Sequence, residues 1–407
     1  MNNNILSFKE DSSKIEDSKK IYIEKLNLIN FRNHKTLNFN LNKSSILIYG
    51  ENGCGKTNVL EAISLLNQGK GLRKANIENF LYEQEICSDD FRIWGINIDL
   101  VSPKGKINIG TGLKKTLSNK SRIAKINSDQ KPLSALGKVL NISWITPQMC
   151  VLFQTSMNEK RRFIDRLTLS IDNLHLNRVY KYEKLLRQRN KILMQIDSDK
   201  IWLDTIESKI SELSIAITAS RLDLLEELEH LYKTENKKNT LTQDFPSVSI
   251  LIKGKIESLL KENPAVEVED FIRSELKKSR LNYDLTISGP NNSKIEILNR
   301  ENNKNLDISS TGEQKLLLIS IILSHARMLH NKYNMGPILL LDDIVEHLDK
   351  KHRKALFVEL SRHHGQSWFT STSKDAFSEY PCFIHKINLP KVKESLDGNY
   401  NFKSGDI

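Results

Sequence analysis

The stretch Gly50-Glu51-Asn52-Gly53-Cys54-Gly55-Lys56-Thr57 decides the fold, because its glycines, lysine and threonine have the spacing of a phosphate-binding loop. It follows Ser45–Tyr49, a short apolar run typical of a strand buried on both faces, and an apolar helical pattern starts near Lys56. Glycines let backbone N–H groups surround phosphate oxygens, and the helix N-terminus adds partial positive charge. The segment therefore predicts a nucleotide site in which Lys56 meets the β- and γ-phosphates of ATP and Thr57 ligates Mg²⁺.

A second apolar run ends in two acids, which supply the carboxylates that such a loop needs. Ile338–Leu341 is followed directly by Asp342 and Asp343. We expect Asp342 to face Mg²⁺ through water, and Asp343 to orient or deprotonate the attacking water. The loop and the acid pair are expected on neighbouring strands of one sheet. The alternative is a strand that simply ends in two solvated acids.

A turn of small residues opens a helix between these two motifs. Ser309-Ser310-Thr311-Gly312-Glu313 precedes an apolar helical pattern that includes Leu316 and Leu323. Because a helix N-terminus attracts anions, Ser310 and Gly312 are candidate phosphate contacts. Ordinary helix capping is the alternative for this segment taken alone.

The order of the three motifs resembles that of the ABC-type ATPases, and Ser310 to Glu313 resembles the signature of their SMC-like, chromosome-maintenance branch. Members of that branch separate their two halves by hundreds of coiled-coil residues, which this chain lacks. In detail the chain resembles the RecF family of bacterial DNA repair ATPases. The resemblance runs from about Ile21 to the last predicted strand and is carried by Leu28–Asn33, Gly53–Ile63, Gly69–Arg73, Ile145–Pro147, Arg161–Asp165, Gln188–Asn190 and Leu340–Asp349.

The resemblance implies an α/β fold, an ABC-type ATPase head with a mixed sheet and helices, plus an inserted helical lobe. It implies a weak ATPase that serves as a switch and forms an ATP-dependent homodimer. The expected partners are double-stranded and gapped DNA and RecO- and RecR-type recombination mediators. The implied roles are recombinational repair, DNA replication and the SOS response to DNA damage.

The resemblance also assigns site residues. Lys56, Thr57, Asp342 and Asp343 would act in one subunit, while Ser310 and Gly312 of the other subunit would contact the γ-phosphate. Further implied residues are Gln148 in the loop that joins the lobes near the metal, Asp349 in a loop crossing the dimer, and Thr372 as a switch residue after the last strand.

Several segments depart from the family pattern. Gly289-Pro290-Asn291-Asn292 stands where the family usually has Gly-Pro-His-Arg, Glu346-His347 replaces the usual Ser-Glu, and Gln154–Ser156 lacks a usual glycine. ABC-type hydrolases usually have Glu where Asp343 stands, and Asp is one methylene shorter. Because misplacing a reacting group by about 1 Å costs on the order of 10²-fold in rate, we expect slow hydrolysis.

Composition changes along the chain suggest its domain organisation. We expect a disordered polar extension over 1–20, a phosphate-loop lobe over 21–145, a helical lobe or arm over 146–300, and a segment over 301–407 that completes the head. In the helical lobe, apolar stripes on both sides of Asp197–Lys200 predict an antiparallel hairpin with arms of about 30 residues. The pattern leaves open whether this hairpin projects or lies in a compact domain.

The net charge of +11 favours a polyanionic partner such as nucleic acid, although biased base composition gives the same surplus. No motif for reading base edges is visible, so we expect DNA binding through phosphates without sequence preference. A solvated basic face is the alternative for each cluster of candidate contacts. These clusters are Lys70, Arg73 and Lys74; Lys114, Lys115, Lys120 and Arg122; and Lys160, Arg161 and Arg162.

The remaining composition excludes other classes of protein. Four widely spaced cysteines argue against a structural zinc site or a disulfide scaffold. There is no run of about 18 apolar residues and no signal-like start, so we expect a cytoplasmic, nucleoid-associated protein without membrane contact. Two other functions stay open: the nucleotide-binding subunit of a membrane transporter, and a non-hydrolytic DNA-binding module whose ATP site has decayed.

Overall fold

The computed structural model describes residues 20–82, 93–115, 119–149, 156–195, 200–238, 245–281, 288–345, 348–363, 365–377, 384–390 and 399–402. These residues pack as two compact units. The first contains residues up to Pro147, Phe245 and residues from Ile322 onward, and the second contains the described residues between Gln148 and Ile321 apart from Phe245. The predicted division at 145 lies close to the one at Pro147, whereas the predicted division at 301 differs from the one at Ile321.

The chain contains both strands and helices, in runs of either kind. The described strands are β1 (Tyr22–Phe31), β2 (His34–Asn40), β3 (Ser45–Tyr49), β4 (Gly95–Ser102), β5 (Gly105–Lys115), β6 (Lys120–Ile126), β7 (Asp129–Lys131), β8 (Ile142–Ile145), β9 (Val248–Lys253), β10 (Lys294–Asn299), β11 (Ile338–Leu341), β12 (Ser367–Ser371), β13 (Ile384–Asn388) and β14 (Asn399–Phe402). The described helices are α1 (Lys56–Ser64), α2 (Leu136–Val139), α3 (Met157–Thr168), α4 (His175–Leu193), α5 (Lys200–Lys238), α6 (Lys255–Glu262), α7 (Ala265–Leu281), α8 (Thr311–Tyr333) and α9 (Lys350–Ser361).

A parallel sheet forms the centre of the first unit, with strand order β13-β3-β12-β11-β8. The apolar runs of β3 and β11 are buried on both faces, as expected of strands inside a parallel sheet. One expectation is wrong: β3 and β11 are not neighbours, because β12 lies between them and pairs with both. The carboxyl ends of the parallel strands meet at one edge, where open α/β sheets bind their ligands.

The second sheet of the first unit is mostly antiparallel and has strand order β14-β2-β1-β4-β5-β6-β7. β1 and β2 form a hairpin whose turn includes Arg32, with a φ of 56°. After this turn the chain runs through β2 and β3 into the phosphate loop, and α1 begins directly after that loop. The turn is thus close in sequence to the phosphate loop. Together the two sheets and their helices give the mixed α/β architecture that the resemblance implies.

The second unit contains the helical hairpin of α4 and α5. The arms are unequal, since α4 has 19 residues and α5 has 39, rather than about 30 each. The polar turn is only partly described, because residues 196–199 lie outside the described part. Apolar side chains of α5 such as Ile206 and Ile217 pack in one buried cluster with Ile272 and Leu276 of α7. The hairpin therefore packs against a third helix instead of forming an isolated coiled-coil arm.

Candidate nucleotide-binding site

The phosphate loop has the backbone conformation that its glycines allow. Gly50, Gly53 and Gly55 have φ angles of 154°, 85° and 101°, values that residues other than glycine rarely adopt. A Cβ atom on Gly50 would lie 2.4 Å from the carbonyl oxygen of Leu389, so a side chain there would also collide with backbone. Gly55 is the residue before α1, and the first N–H groups of a helix have no intrahelical acceptor. The loop thus presents N–H donors to an anion.

Lys56 lies inside this loop. Its side chain is buried, and its ammonium donates hydrogen bonds to the carbonyl oxygens of Gly50 at 2.7 Å and Glu51 at 3.0 Å. An ammonium has three N–H donors, so one donor is left for a phosphate oxygen. The exposed backbone of Glu51, Asn52 and Gly53 forms the outer part of the loop.

Asp342 is the first acid after β11, and its carboxylate meets the phosphate-loop threonine. The Thr57 hydroxyl donates to Asp342 Oδ1 across 2.9 Å, although the two residues are 285 positions apart in the chain. Asp342 is 6% exposed. A threonine hydroxyl and a carboxylate at this spacing are the protein ligands that Mg²⁺ takes in phosphate-loop enzymes.

Thr370 of β12 connects the two acids, and the sequence analysis did not single it out. Its hydroxyl lies 2.8 Å from Asp342 Oδ1 and 3.1 Å from Asp343 Oδ1, and it accepts the backbone N–H of Asp343 at 2.9 Å. A hydroxyl has one hydrogen, so Thr370 donates to one acid at a time. The predicted switch residue Thr372 lies just after β12 and is exposed.

Burial is the largest influence on the pKa of Asp342. It raises the pKa of Asp342, while the hydrogen bonds from Thr370 and Thr57 lower it; the charge of Asp343 raises it further, and that of Arg73 lowers it. The site therefore holds a carboxylate that is costly to keep ionised without a nearby cation. This is the electrostatic condition under which a divalent cation binds favourably.

The β1–β2 turn supports the end of the phosphate loop. The Asn33 amide donates to Cys54 O at 3.1 Å and accepts from the Asn58 amide at 2.7 Å. His34 Nε2 lies 3.3 Å from Gly55 O. Burial lowers the pKa of His34 to about 4, while the bond to Gly55 raises it. His34 is therefore neutral at physiological pH and adds no charge to the loop.

A buried carboxylate of α1 holds the same turn. Arg32 pairs with Glu61 through two bonds of 2.9 Å, and Arg73 lies 3.5 Å from the same carboxylate. Glu61 is fully buried. Arg73 also donates to the Asn58 side chain at 2.8 Å, so this candidate DNA contact belongs to the support of the nucleotide site.

The serine-headed turn begins α8 in the second unit. Ser310 and Glu313 form a capping box: Ser310 Oγ accepts the N–H of Glu313 at 3.3 Å, and Glu313 Oε2 accepts the N–H of Ser310 at 2.9 Å. The latter bond keeps the pKa of Glu313 below its usual range. Both residues and Gly312 are exposed, and no atom lies within 4 Å of where a Gly312 Cβ would be. The capping alternative is thus realised, and the helix start faces outward.

Two further implied residues, Gln148 and Asp349, lie after β8 and before α9. Gln148 is exposed and follows β8. Asp349 caps α9, where its carboxylate accepts the backbone N–H of His352 at 2.8 Å. The segments 346–347 and 154–155 lie outside the described residues.

The comparisons with known proteins agree with this geometry. The family model described as "RecF/RecN/SMC N terminal domain" matches residues 22–387. A DNA replication and repair protein RecF from Mesorhizobium japonicum is 36% identical over 361 residues, which cover 88% of this chain and 93% of that protein. One from Rhizobium rhizogenes is 34% identical over 363 residues, covering 88% and 94%. The chain belongs to the RecF family.

A solved structure of a RecF protein shows the same fold. It is described as "Structure of the recombination mediator protein RecF-ATPrS in RecFOR pathway" and matches with a TM-score of 0.74 at 22% identity, covering 88% of this chain and 94% of the other. A RecF-ATP structure matches with a TM-score of 0.71 at 21% identity. The predicted ABC-type ATPase fold of the RecF family is therefore confirmed.

Two of the basic residues expected to meet DNA in this RecF-family chain turn inward. Arg122 donates to the carbonyl oxygens of Asn67 at 2.9 Å and of Leu65, behind the end of α1. Lys160 is buried and paired with Asp307. Packing therefore uses these two long side chains as donors to carbonyl oxygens and to a carboxylate, while their role as DNA contacts stays a prediction. Lys70, Lys74, Lys114, Lys120 and Arg162 are exposed.

Proposed function

We propose that this chain is an ATP-dependent DNA-binding protein of recombinational repair and replication. In this proposal, two copies close around ATP on double-stranded or gapped DNA, and slow hydrolysis releases them. One observation carries the proposal: the hydroxyls of Thr57 and Thr370 meet Asp342 beside a phosphate loop, in a chain of the RecF family. Such a site binds a nucleoside triphosphate with a divalent cation.

The described residues fit ATP and Mg²⁺. Gly53, Gly55 and Lys56 would hold the phosphates, while Thr57 and Asp342 would hold the cation. No cluster of three or more metal-binding side chains occurs in the described part of the chain. This agrees with Mg²⁺, which keeps several waters and takes one or two carboxylates besides phosphates. When bound, the cation neutralises charge on the phosphates.

Asp343 is the acid proposed to accept a proton from the attacking water. Its backbone has a φ of 49° and its N–H is fixed by Thr370, so the side chain starts from a restrained position. A short acid in a fixed position reaches less far than Glu would, and this supports slow turnover. Gln148 and Thr372 stay predictions for the same step.

The dimer follows from the exposed start of α8. Ser310 Oγ accepts Glu313 N–H and its hydroxyl hydrogen is within reach of the Glu313 carboxylate, so rotation of the hydroxyl would turn this donor toward an oxygen of another molecule. The N–H groups of Thr311 and Gly312 lie in the first helical turn and have no intrahelical acceptor. We infer that Ser310 and Gly312 of a second copy contact the γ-phosphate, which makes ATP part of a two-fold interface.

The proposed partners follow from the family. One related structure is described as belonging to the RecFOR pathway, and we propose RecO- and RecR-type mediators as partners of this chain. We also propose a cytoplasmic, nucleoid-associated location. Across the described residues, no helix is both long and apolar enough to cross a membrane.

Analytical ultracentrifugation with and without ATP and a gapped duplex tests the proposal. We expect a monomer without nucleotide, a dimer with ATP, and a larger complex once DNA is added. Phosphate release measured on the same samples distinguishes slow hydrolysis from a non-hydrolytic module. If ATP changes neither sedimentation nor DNA binding, the proposal is wrong.

Binding through DNA phosphates predicts a particular response to salt. The logarithm of duplex affinity should fall linearly with the logarithm of salt concentration, with a slope of roughly −0.9 for each phosphate contact. Fluorescence anisotropy with two duplexes of unrelated sequence measures both the slope and the lack of sequence preference. A flat salt response would contradict phosphate-led binding.

A further inference from the structure

The second unit contains a cavity of about 130 Å³ that the nucleotide site does not use. By this measure one water needs only about 10–15 Å³, so the cavity has room for one phosphate group. Its lining includes three arginines, two asparagines and a buried tyrosine: Asn158, Arg161, Arg162, Tyr182, Arg221 and Asn291. All of them belong to one compact unit.

The cavity lining also contains two acids, but both have partners. Asp165 is buried and accepts from Arg221 at 2.8 and 3.0 Å, and it lies 2.7 Å from a ring nitrogen of His175. Arg221 keeps the pKa of Asp165 low against the burial that raises it. Glu183 lies 3.9 Å from Arg187. The buried charge of Asp165 is therefore paired within the lining, whereas the exposed pair of Glu183 with Arg187 is weak.

Both asparagines of the lining use their side-chain oxygens as hydrogen-bond acceptors. Asn291 Oδ1 accepts the Tyr182 hydroxyl at 2.9 Å, and Asn158 Oδ1 accepts from Arg161. With the oxygens occupied, each amide offers N–H donors. Arg161 spends one further donor on Ser293 O at 2.8 Å, and a guanidinium has five. The groups left over are donors, which is the chemistry of an anion site.

The positive charges of the cavity lining also favour an anion. Burial lowers the pKa of Arg161, and the neighbouring Arg221 lowers it further. An anion between them would offset that repulsion. Asn158 and Arg161 lie near the N-terminal end of α3, a 12-residue helix whose dipole adds positive potential there. The cavity is also large enough to admit the four oxygens of one phosphate group.

We propose that this cavity binds one phosphate group, held by Arg161 and the amides of Asn158 and Asn291. The phosphate comes from a DNA backbone or from free inorganic phosphate. The DNA source rests on the proposed function, whereas the site itself does not. The proposal gives a role to Gly289–Asn292, the segment in which this chain departs from its family.

Asn291→Asp in the full-length protein is the main test. A carboxylate at this position still accepts from Tyr182 but repels a phosphate. Asn302→Asp is the matched control, since Asn302 is exposed in the same unit and its side-chain oxygen accepts Lys304 N–H at 3.0 Å. With ATP present, we expect Asn291→Asp to weaken duplex binding roughly tenfold, as expected for a lost charge-assisted contact. Asn302→Asp should bind duplex like the unmodified protein.

Asn158→Asp is a second variant, which keeps the proposal testable if Asn291→Asp fails to fold. Its carboxylate would neutralise Arg161 while keeping the contact between the two side chains. We expect it to weaken duplex binding in the same direction, with unchanged circular dichroism and an intact ATP-induced dimer by sedimentation.

Inorganic phosphate, titrated by calorimetry, distinguishes the sources. The titration uses the Lys56→Met background, which removes the phosphate-loop site. Loss of phosphate binding in Asn291→Asp with unchanged DNA affinity identifies free phosphate as the occupant. Loss of DNA affinity identifies the backbone. If neither changes relative to Asn302→Asp, the proposal is overturned. If the unmodified protein binds no DNA while the phosphate effect remains, only the proposed function fails.

Discussion

The hydroxyl of Thr370 lies within hydrogen-bond distance of both acids of the candidate site, so Thr370 is a direct target for mutation. Thr370→Val keeps the shape but leaves Asp343 N–H without its acceptor. We expect ATP binding to persist and hydrolysis to fall about tenfold to a hundredfold. The free energy of unfolding should fall by about 1–3 kcal/mol. Phosphate release and urea denaturation measure the two effects.

Thr205→Val is the matched control for that change. Thr205 is exposed in α5, where its hydroxyl donates to the carbonyl oxygen of Ile201 at 3.0 Å, so this substitution should leave both measurements near those of the unmodified protein. Thr372, exposed one residue after β12, stays the predicted switch residue, and Thr372→Val should lower hydrolysis with little change in the free energy of unfolding.

The raised pKa of Asp342 predicts that ionisation of this carboxylate, which Mg²⁺ binding needs, lowers the stability of the metal-free protein. Burial raises the pKa of Asp342 in the folded protein, whereas the pKa of an Asp in the unfolded chain is about 3.9. The free energy of unfolding therefore falls as pH rises from about 3.9 through the higher pKa of the folded state. Above that window the ionised carboxylate destabilises the metal-free protein. Asp342→Asn should therefore melt above the unmodified protein at pH 7, and the difference should shrink toward pH 4.

The same substitution should abolish Mg²⁺-dependent hydrolysis, because an amide is a poor ligand for this cation. Thermal melts between pH 5 and 8 without metal check the stability part. Asp375→Asn, an exposed change of the same kind, should leave the melting temperature unaltered. A lower melting temperature for Asp342→Asn across this range would contradict the argument.

At the scale of elements, α1 is tied to the β1–β2 turn through Glu61. Glu61→Gln removes the charge that pairs with Arg32 and Arg73, so we expect a loss of about 2–3 kcal/mol in the free energy of unfolding. Glu78→Gln is the control, because Glu78 forms an exposed pair with Lys120 at 2.9 Å and such pairs contribute roughly 0–1 kcal/mol. Equal effects in urea denaturation would show that the buried pair does not hold the turn.

The elements that carry local patterns could be predicted from the sequence. β3, the phosphate loop and β11 are each specified by a few adjacent residues, so their structure and chemistry could be predicted. The role of Thr370 could not be predicted, because Thr370 contacts residues 27 and 28 positions away, which the order of the strands brings close to it. No local pattern places β12 between β3 and β11, or makes Arg122 and Lys160 point inward.

At the scale of the whole molecule, the proposed dimer depends on Lys56. Lys56→Met keeps the apolar stem of the side chain but removes the ammonium from the loop. We expect no ATP-induced dimer by sedimentation at concentrations where the unmodified protein is dimeric. Lys104→Met, an exposed change between β4 and β5, should dimerise normally. An unchanged ATP-induced dimer in Lys56→Met would show that the assignment of Lys56 is wrong.

The position of β12 also affects how the molecule is made. Its residues are synthesised after those of both strands that it joins, β3 and β11. A nascent chain that ends before β12 therefore has β3 separated from β11 and has no Thr370. Such a chain lacks the hydroxyl that meets both acids, so the candidate site is complete only after β12 has been made.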